Sequence, residues 1–257
     1  MHWYKEDGEP AHFQPNGSNT TLAHARKQSL RPSVTGILGV AANPGLTEYF
    51  IKQHLEASYH HCYFAQDQVY TKKTEYTEWC KEVRQAAKEH STQARDKGSA
   101  IHNALDDHYS GRFDEVDRDL AKYVIAVNHA LKGVYGVSVG DADPEKSFST
   151  KYYGGSVDLS NPKLIVDYKF KSSGWELKKD GTPKKIWYQE NVAQLAAYRQ
   201  GLGYKDAVVA NVFISPEAEV YIKEWTEEEV EDGLEYFNAC LKLWNCKNKL
   251  FKQEIDK

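Results

Sequence analysis

The sequence predicts an α/β fold: a central mixed β-sheet flanked by helices, with a mainly helical N-terminal half. Three observations predict it. Apolar residues recur at helical spacing up to about residue 140 and then take on the alternation of strands. The run Leu164-Ile165-Val166 is apolar at three successive positions, as in a strand buried on both faces. From residue 141 onward the elements fall in the order β-β-α-β-β-α, which packs as helices against a sheet.

Residues 1–31 read as an irregular arm punctuated by Gly8, Pro10, Pro15, Asn16 and Gly17, with a short hairpin around Gly8. Residues 33–40 form a short apolar run. Asn43-Pro44-Gly45 breaks the chain, and Thr47 then caps a helix reaching about residue 64. Residues 73–109 are helical, with a break near Ser91; Gly98, Ile101, His102, Leu105 and Tyr109 share one face. A helix over 115–132 carries Leu120, Val124, Val127 and Leu131 in step. Strands follow over 145–159 and 163–170, joined by a turn at Asn161-Pro162. The lysine-rich stretch 171–184 reads as an exposed loop and 185–201 as a helix ending at Gly201. Strands over 206–214 and 218–225 precede a last helix, 226–250, with Thr226 as cap and Glu229 at its third position.

The length of 257 residues suffices for a proper core. The chain reads as a single domain, 1–257: an arm (1–31), a mainly helical part (32–140), and a sheet with its helices (141–257). Net charge is −4, which disfavours a protein that coats nucleic acid by positive charge alone. Cys62, Cys80, Cys240 and Cys246 form no CxxC pair, which weakens a zinc reading. The polar start MHWYKEDGEP shows no secretory signal, and no apolar stretch is long enough for a membrane span, so a cytoplasmic setting is expected.

The chemistry concentrates in a few places. Asp167 and Lys169 point to one side of a strand, with Tyr168 to the other. Asp158 ends the preceding strand, and the Asn161-Pro162 turn folds it back toward them. Two aspartates so presented suit Mg²⁺ or Mn²⁺, hard cations that prefer oxygen ligands. Lys169 could orient a water or stabilise charge on a phosphate. The plainer alternative is a turn aspartate beside an exposed strand pair. Gly154-Gly155 marks a bulge, a close approach or a simple bend. Gln194 and Tyr198, four apart, share a helix face. His102 can ligate a metal or serve as a hydrogen-bonded core histidine; His60, His61, His90 and His108 read as surface residues.

Taken in order, Gly98-x-x-Ile101-His102, Gly155-Ser156-Val157-Asp158, Ile165-Val166-Asp167-Tyr168-Lys169 and Gln194-x-x-x-Tyr198 resemble the RecB-like branch of the PD-(D/E)XK nucleases. That branch includes mitochondrial genome maintenance exonucleases and many phage exonucleases. The resemblance covers residues 98–198 and implies a restriction-endonuclease-like core, making the chain one nuclease domain. It implies that His102, Asp158, Asp167 and the Tyr168 carbonyl bind the metal. Asp158, Asp167, Lys169, Gln194 and Tyr198 would form the catalytic set, with Gln194 and Tyr198 contacting DNA or ordering the site. Arg31-Pro32-Ser33-Val34-Thr35-Gly36-Ile37-Leu38 looks like the opening of such exonucleases. There Arg26, Arg31, Ser33 and Thr35 are candidates to hold a DNA end phosphate, or the hydroxyls simply cap a helix. Glu145 is a possible additional acidic residue.

The resemblance implies a metal-dependent deoxyribonuclease acting as an exonuclease in recombination, repair or DNA degradation. A structure-specific flap endonuclease and a catalytically inactive DNA-binding protein on the same fold are the alternatives. Implied partners are DNA and a single-strand annealing or other recombination protein, with a phage-encoded chain acting in a host cytoplasm. Asp167 stands where glutamate is commoner. Only Cys240 and Cys246 lie downstream of the motifs, so the four-cysteine iron–sulfur cluster of some members is not expected here.

Overall fold

The computed structural model describes residues 1–41, 44–64 and 73–251. Asn43, and the side chains of His60, His61, Cys62 and His90, lie outside the described residues. Two compact units emerge, Met1–Ala41 with Ile101–Lys257, and Ala42–Ala100.

The second unit holds α3 (Pro44–Phe64) and most of α4 (Lys73–Tyr109), and Val83 and Ala87 are buried. The α3 helix begins before Thr47, so Thr47 is not its cap. The α4 helix runs through Ser91 without a break: a single serine carries too small a helix penalty to interrupt it.

The first unit opens with the expected hairpin around Gly8 and with more regular structure than the rest of the arm was expected to hold. Strand β1 (Trp3–Tyr4) pairs antiparallel with β2 (Arg31–Pro32), and Tyr4 bridges Pro10 around a turn at Gly8. Between them α1 (Leu22–Gln28) starts at Thr21, whose hydroxyl accepts from the His24 N–H. The cause is an apolar anchor. Trp3 is buried, its indole N–H donates to Thr20 O at 3.1 Å, and its ring packs edge-on to Trp244. The run from residue 33 is a short helix, α2 (Val34–Leu38), capped by Ser33.

Helix α5 (Ala121–Tyr135) buries Val124, Val127 and Leu131 as predicted. It starts later than expected because two 3₁₀ turns, Phe113–Glu115 and Arg118–Leu120, precede it. The predicted strand over 145–159 is in fact two, β3 (Asp143–Ser149) and β4 (Gly154–Asn161). Thr150 makes the turn: its N–H and hydroxyl both donate to Tyr153 O, at 2.7 and 2.9 Å. No glycine or proline marks that turn, which is why it is silent in the sequence.

Strand β5 (Leu164–Phe170) follows the Asn161-Pro162 turn. Helix α6 (Gln189–Leu202) begins after residue 185 because the Asn191 side chain accepts the Tyr188 N–H at 2.8 Å and fixes the start there. Strands β6 (Val208–Ile214) and β7 (Val220–Glu224) lead to α7 (Glu227–Asn248), which Thr226 and Glu229 cap reciprocally as predicted.

The five strands lie in the order β3-β4-β5-β6-β7, with only β5 and β6 parallel. The sheet is therefore mixed and helices flank it, as predicted. One face, carrying Ile165, packs on α6, and α7 lies over α6. On the other, Tyr168 meets His102 near the end of α4 and Phe170 meets Tyr123 of α5. Ile165, Leu195, Phe213, Phe237 and Trp244 are fully buried. At about 25 cal/mol per Å² of apolar area, each such side chain stabilises the fold by about 2–3 kcal/mol.

Candidate active site

The site forms where β4 and β5 part. Leu159–Val166, Ser160–Ile165 and Asn161–Leu164 are paired. One step further the strands diverge, and the Asp158 carboxylate takes over from the ladder: its Oδ2 accepts the Tyr168 N–H at 2.6 Å. The divergence frees a backbone donor, and a buried donor must find an acceptor.

Asp167 is buried under four hydrogen bonds. Its Oδ1 accepts from Lys169 Nζ at 3.0 Å and Gln194 Nε2 at 2.7 Å. Its Oδ2 accepts from Asn211 Nδ2 at 2.7 Å and lies 2.8 Å from Lys169 Nζ. Gln194 Oε1 is 3.3 Å from the same ammonium, and Gln194 Nε2 reaches Tyr198 Oη at 2.9 Å. Gln194 and Tyr198 are thus buried beneath Asp167 and order it.

Register also places a row of polar side chains across the sheet. Asp167 pairs with Asn211, and Asn211 with Lys223. Asp158 and Asp167 are the next residues beyond the Leu159–Val166 pair, where the ladder stops. Glu145 lies opposite Asp158, between the pairs Pro144–Leu159 and Lys146–Val157, with φ +45°. Left-handed backbone is uncommon for glutamate. Here it accompanies a carboxylate whose Oε2 accepts from Ser156 Oγ at 2.9 Å. Glu145 is part of β3.

His102 Nδ1 lies 3.5 Å from Asp158 Oδ2, with the imidazole edge-on to Tyr168. Burial pulls the imidazole pKa down, but the Asp158 hydrogen bond and the charges of Asp158 and Asp167 outweigh it, so the pKa is raised. Burial pushes Asp167 up, with Lys169 opposing, and it remains raised. Burial likewise works against the Lys169 ammonium, but Asp167 and Asp158 prevail and hold it protonated. Glu145 is raised by burial and then by the charge of Asp158.

The donors suit a hard divalent cation: carboxylates at Asp158, Asp167 and Glu145, an imidazole at His102 and the Tyr168 carbonyl. As arranged, Asp167 turns to Lys169 and Asn211 while Asp158 turns to His102 and the Tyr168 N–H. No three His, Cys, Asp or Glu side chains among the described residues converge on one point.

Of the residues proposed for a DNA end, Ser33 is buried and its hydroxyl accepts the Gly36 N–H at 3.0 Å. Thr35 is exposed, with Oγ1 3.3 Å from Ser33 Oγ. Arg26 donates to Asn248 O and Arg31 to Ser29 O. Both line a cleft of about 500 Å³ with Lys151, Tyr152, Lys249 and Phe251. The structure does not bring these four candidates into hydrogen bonds with Asp158, Asp167 or Lys169. His108, read as a surface residue, is half buried with its ring against Phe113. Cys240 is buried, Cys80 half buried and Cys246 exposed, all three with free thiols.

Sequence reading missed Asn211 and Trp225. The Trp225 indole N–H donates to Asn211 Oδ1 at 2.8 Å, so Asn211 is a bridge from the indole to Asp167. The available signal was a lone asparagine in the apolar run Val208–Ile214.

Comparison with known families and with curated proteins finds no match. Among solved structures the chain is similar to the crystal structure of a "Putative exonuclease" from Eubacterium rectale. That match has 14% identity and a TM-score of 0.39, over 60% of this chain and 69% of that one. It is similar also to the protein SSO0001, with 15% identity and a TM-score of 0.28, over 59% of this chain and 82% of that one. No helix among the described residues is long and apolar enough to cross a membrane.

Proposed function

We propose that the chain is a Mg²⁺- or Mn²⁺-dependent DNA nuclease of the PD-(D/E)XK kind, acting as an exonuclease at DNA ends. One observation carries the reading: Asp158 and Asp167 stand at the fork of β4 and β5, near enough for the charge of one to act on the other, with the Lys169 ammonium 2.8 Å from Asp167. Asp158, Asp167, His102 and the Tyr168 carbonyl would hold the cation, with Glu145 close by. Bound there, the ion would polarise the phosphoryl oxygen and acidify a water. Lys169 would orient or activate the attacking water and stabilise the negative charge developing on the phosphate. Gln194 holds Asp167 and Lys169 in register, and Tyr198 holds Gln194. A role in recombination, repair or DNA degradation belongs to the same proposal.

End-labelled linear DNA and closed circular DNA, incubated with Mg²⁺, test the reading. Loss of the linear form alone is expected, abolished by a chelator and reduced about 10²–10³-fold in Lys169→Ala. Equal cutting of circles would make the protein an endonuclease. Cleavage that survives both the chelator and Lys169→Ala would sink the assignment.

A further inference from the structure

Lys171 is the next residue after Lys169 on the same side of the extended chain. Its N–H still donates to Ile214 O at 2.9 Å, so pairing toward β6 continues to it. Its ammonium lies 5.0 Å from the centre of the Tyr188 ring and 5.2 Å from that of Phe213. Among the described residues no carboxylate pairs with it. Cation–π attraction to the two rings offsets only part of what an ammonium loses on leaving water. The two rings therefore house the charge without neutralising it. Burial, with Lys169 adding to it, brings the Lys171 pKa down to about 8. Lys169, two residues back and more deeply buried, is held up by its carboxylates. Tyr188 is 48% exposed at the start of α6, where Asn191 fixes its backbone.

We propose that Lys171 and Tyr188 form a second substrate subsite: the Lys171 ammonium takes the phosphate next to the one under attack, and the Tyr188 ring stacks the base attached there. Two residues along a strand span about 6–7 Å, comparable with the reach between neighbouring phosphates of an extended nucleic-acid strand. A ring that takes the base next to the cleaved linkage suits a single strand, whose unpaired bases stack on aromatic side chains whatever their sequence. The substrate is then a single-stranded end, or a duplex end opened to single strand. This inference rests on the nuclease reading and names the substrate class for that site.

The test uses short single-stranded oligonucleotides, each with one uncharged methylphosphonate linkage, moved along the strand. In wild type, one position beside the cleaved linkage should raise KM about five- to tenfold with kcat nearly unchanged. Lys171→Met should raise KM for the all-phosphate strand by a similar factor and lose the penalty at that position. Lys171→Arg should keep it. Lys171→Gln stands in if the methionine variant does not fold. Tyr188→Leu should raise KM where Tyr188→Phe does not. A lysine with a merely structural role would leave the position-specific penalty in place. That result overturns the proposal, as does an unchanged KM in Lys171→Met. If wild type cleaves nothing, the nuclease reading fails separately. Fluorescence anisotropy with the same strands then decides the subsite: a position-specific affinity loss absent from Lys171→Met supports it, and equal affinities of the two proteins for the all-phosphate strand refute it.

Discussion

Replacing Asn211 by leucine removes both ends of the bridge between Trp225 and Asp167 while nearly conserving volume, so the cost is one of hydrogen bonds more than of a cavity. Asn211 is fully buried. Its amide donates to Asp167 Oδ2 at 2.7 Å, and its carbonyl oxygen accepts from Trp225 Nε1 at 2.8 Å. A hydrogen bond to a charged group contributes about 1.5–3 kcal/mol, and a buried N–H left without an acceptor costs about 1–3 kcal/mol. Asn211→Leu should therefore destabilise the fold by about 3–5 kcal/mol, a large share of the roughly 5–15 kcal/mol that holds a typical domain together. Urea unfolding followed by circular dichroism measures it. In a Trp225→Phe background the orphaned N–H is gone, and the same substitution should cost about 1–2 kcal/mol less. A loss under about 1 kcal/mol, or two substitutions that add to within about 0.5 kcal/mol, would refute the bridge.

Gly155→Ala should lower stability by about 1–3 kcal/mol through overpacking, because its Cβ would sit 2.8 Å from Tyr198 Cε1 and 2.9 Å from Phe148 Cε1. A thermal midpoint equal to wild type would show that the tyrosine has room to move. Glu229 caps α7 through the Thr226 N–H at 2.9 Å and pairs with Lys223 at 2.9 Å. Burial pushes its carboxyl up, but Lys223 and the Thr226 N–H outweigh burial and hold it below the usual range. A depressed folded pKa contributes stability above the ordinary carboxylate value and loses it as pH falls through the lowered one. Glu229→Gln should thus cost about 0.5–1 kcal/mol near neutral pH, and the cost should shrink as pH falls through the lowered carboxyl range, read from denaturant midpoints at neutral and acidic pH.

The sequence makes visible whatever depends on spacing within one element. The apolar run at Leu164-Ile165-Val166 became a buried strand, the step in Val124, Val127 and Leu131 became a buried helix face, and Thr226 with Glu229 became a cap. Asp167 and Lys169 could be placed together because strand alternation leaves little choice. Contacts between distant segments were less legible. The Trp3–Trp244 contact that orders the arm joins opposite ends of the chain. The alignment of Glu145, Asp158, Asp167, Asn211 and Lys223 needs the register of four strand pairings, which no single stretch encodes. The hairpin at Thr150–Tyr153 escaped because a threonine hydroxyl did the work usually marked by glycine or proline.

The hydrogen bond from Trp225 gives the molecule a built-in optical probe. Protonating Asp167, or placing a cation against it, alters the electric field that reaches the indole through Asn211, and indole emission responds to that field. The chain has six tryptophans. Subtracting the emission of Trp225→Phe from that of the intact protein would isolate this one. Titrating Mn²⁺ or Mg²⁺ into both would then follow the state of a buried carboxylate in solution, with neither substrate nor attached dye.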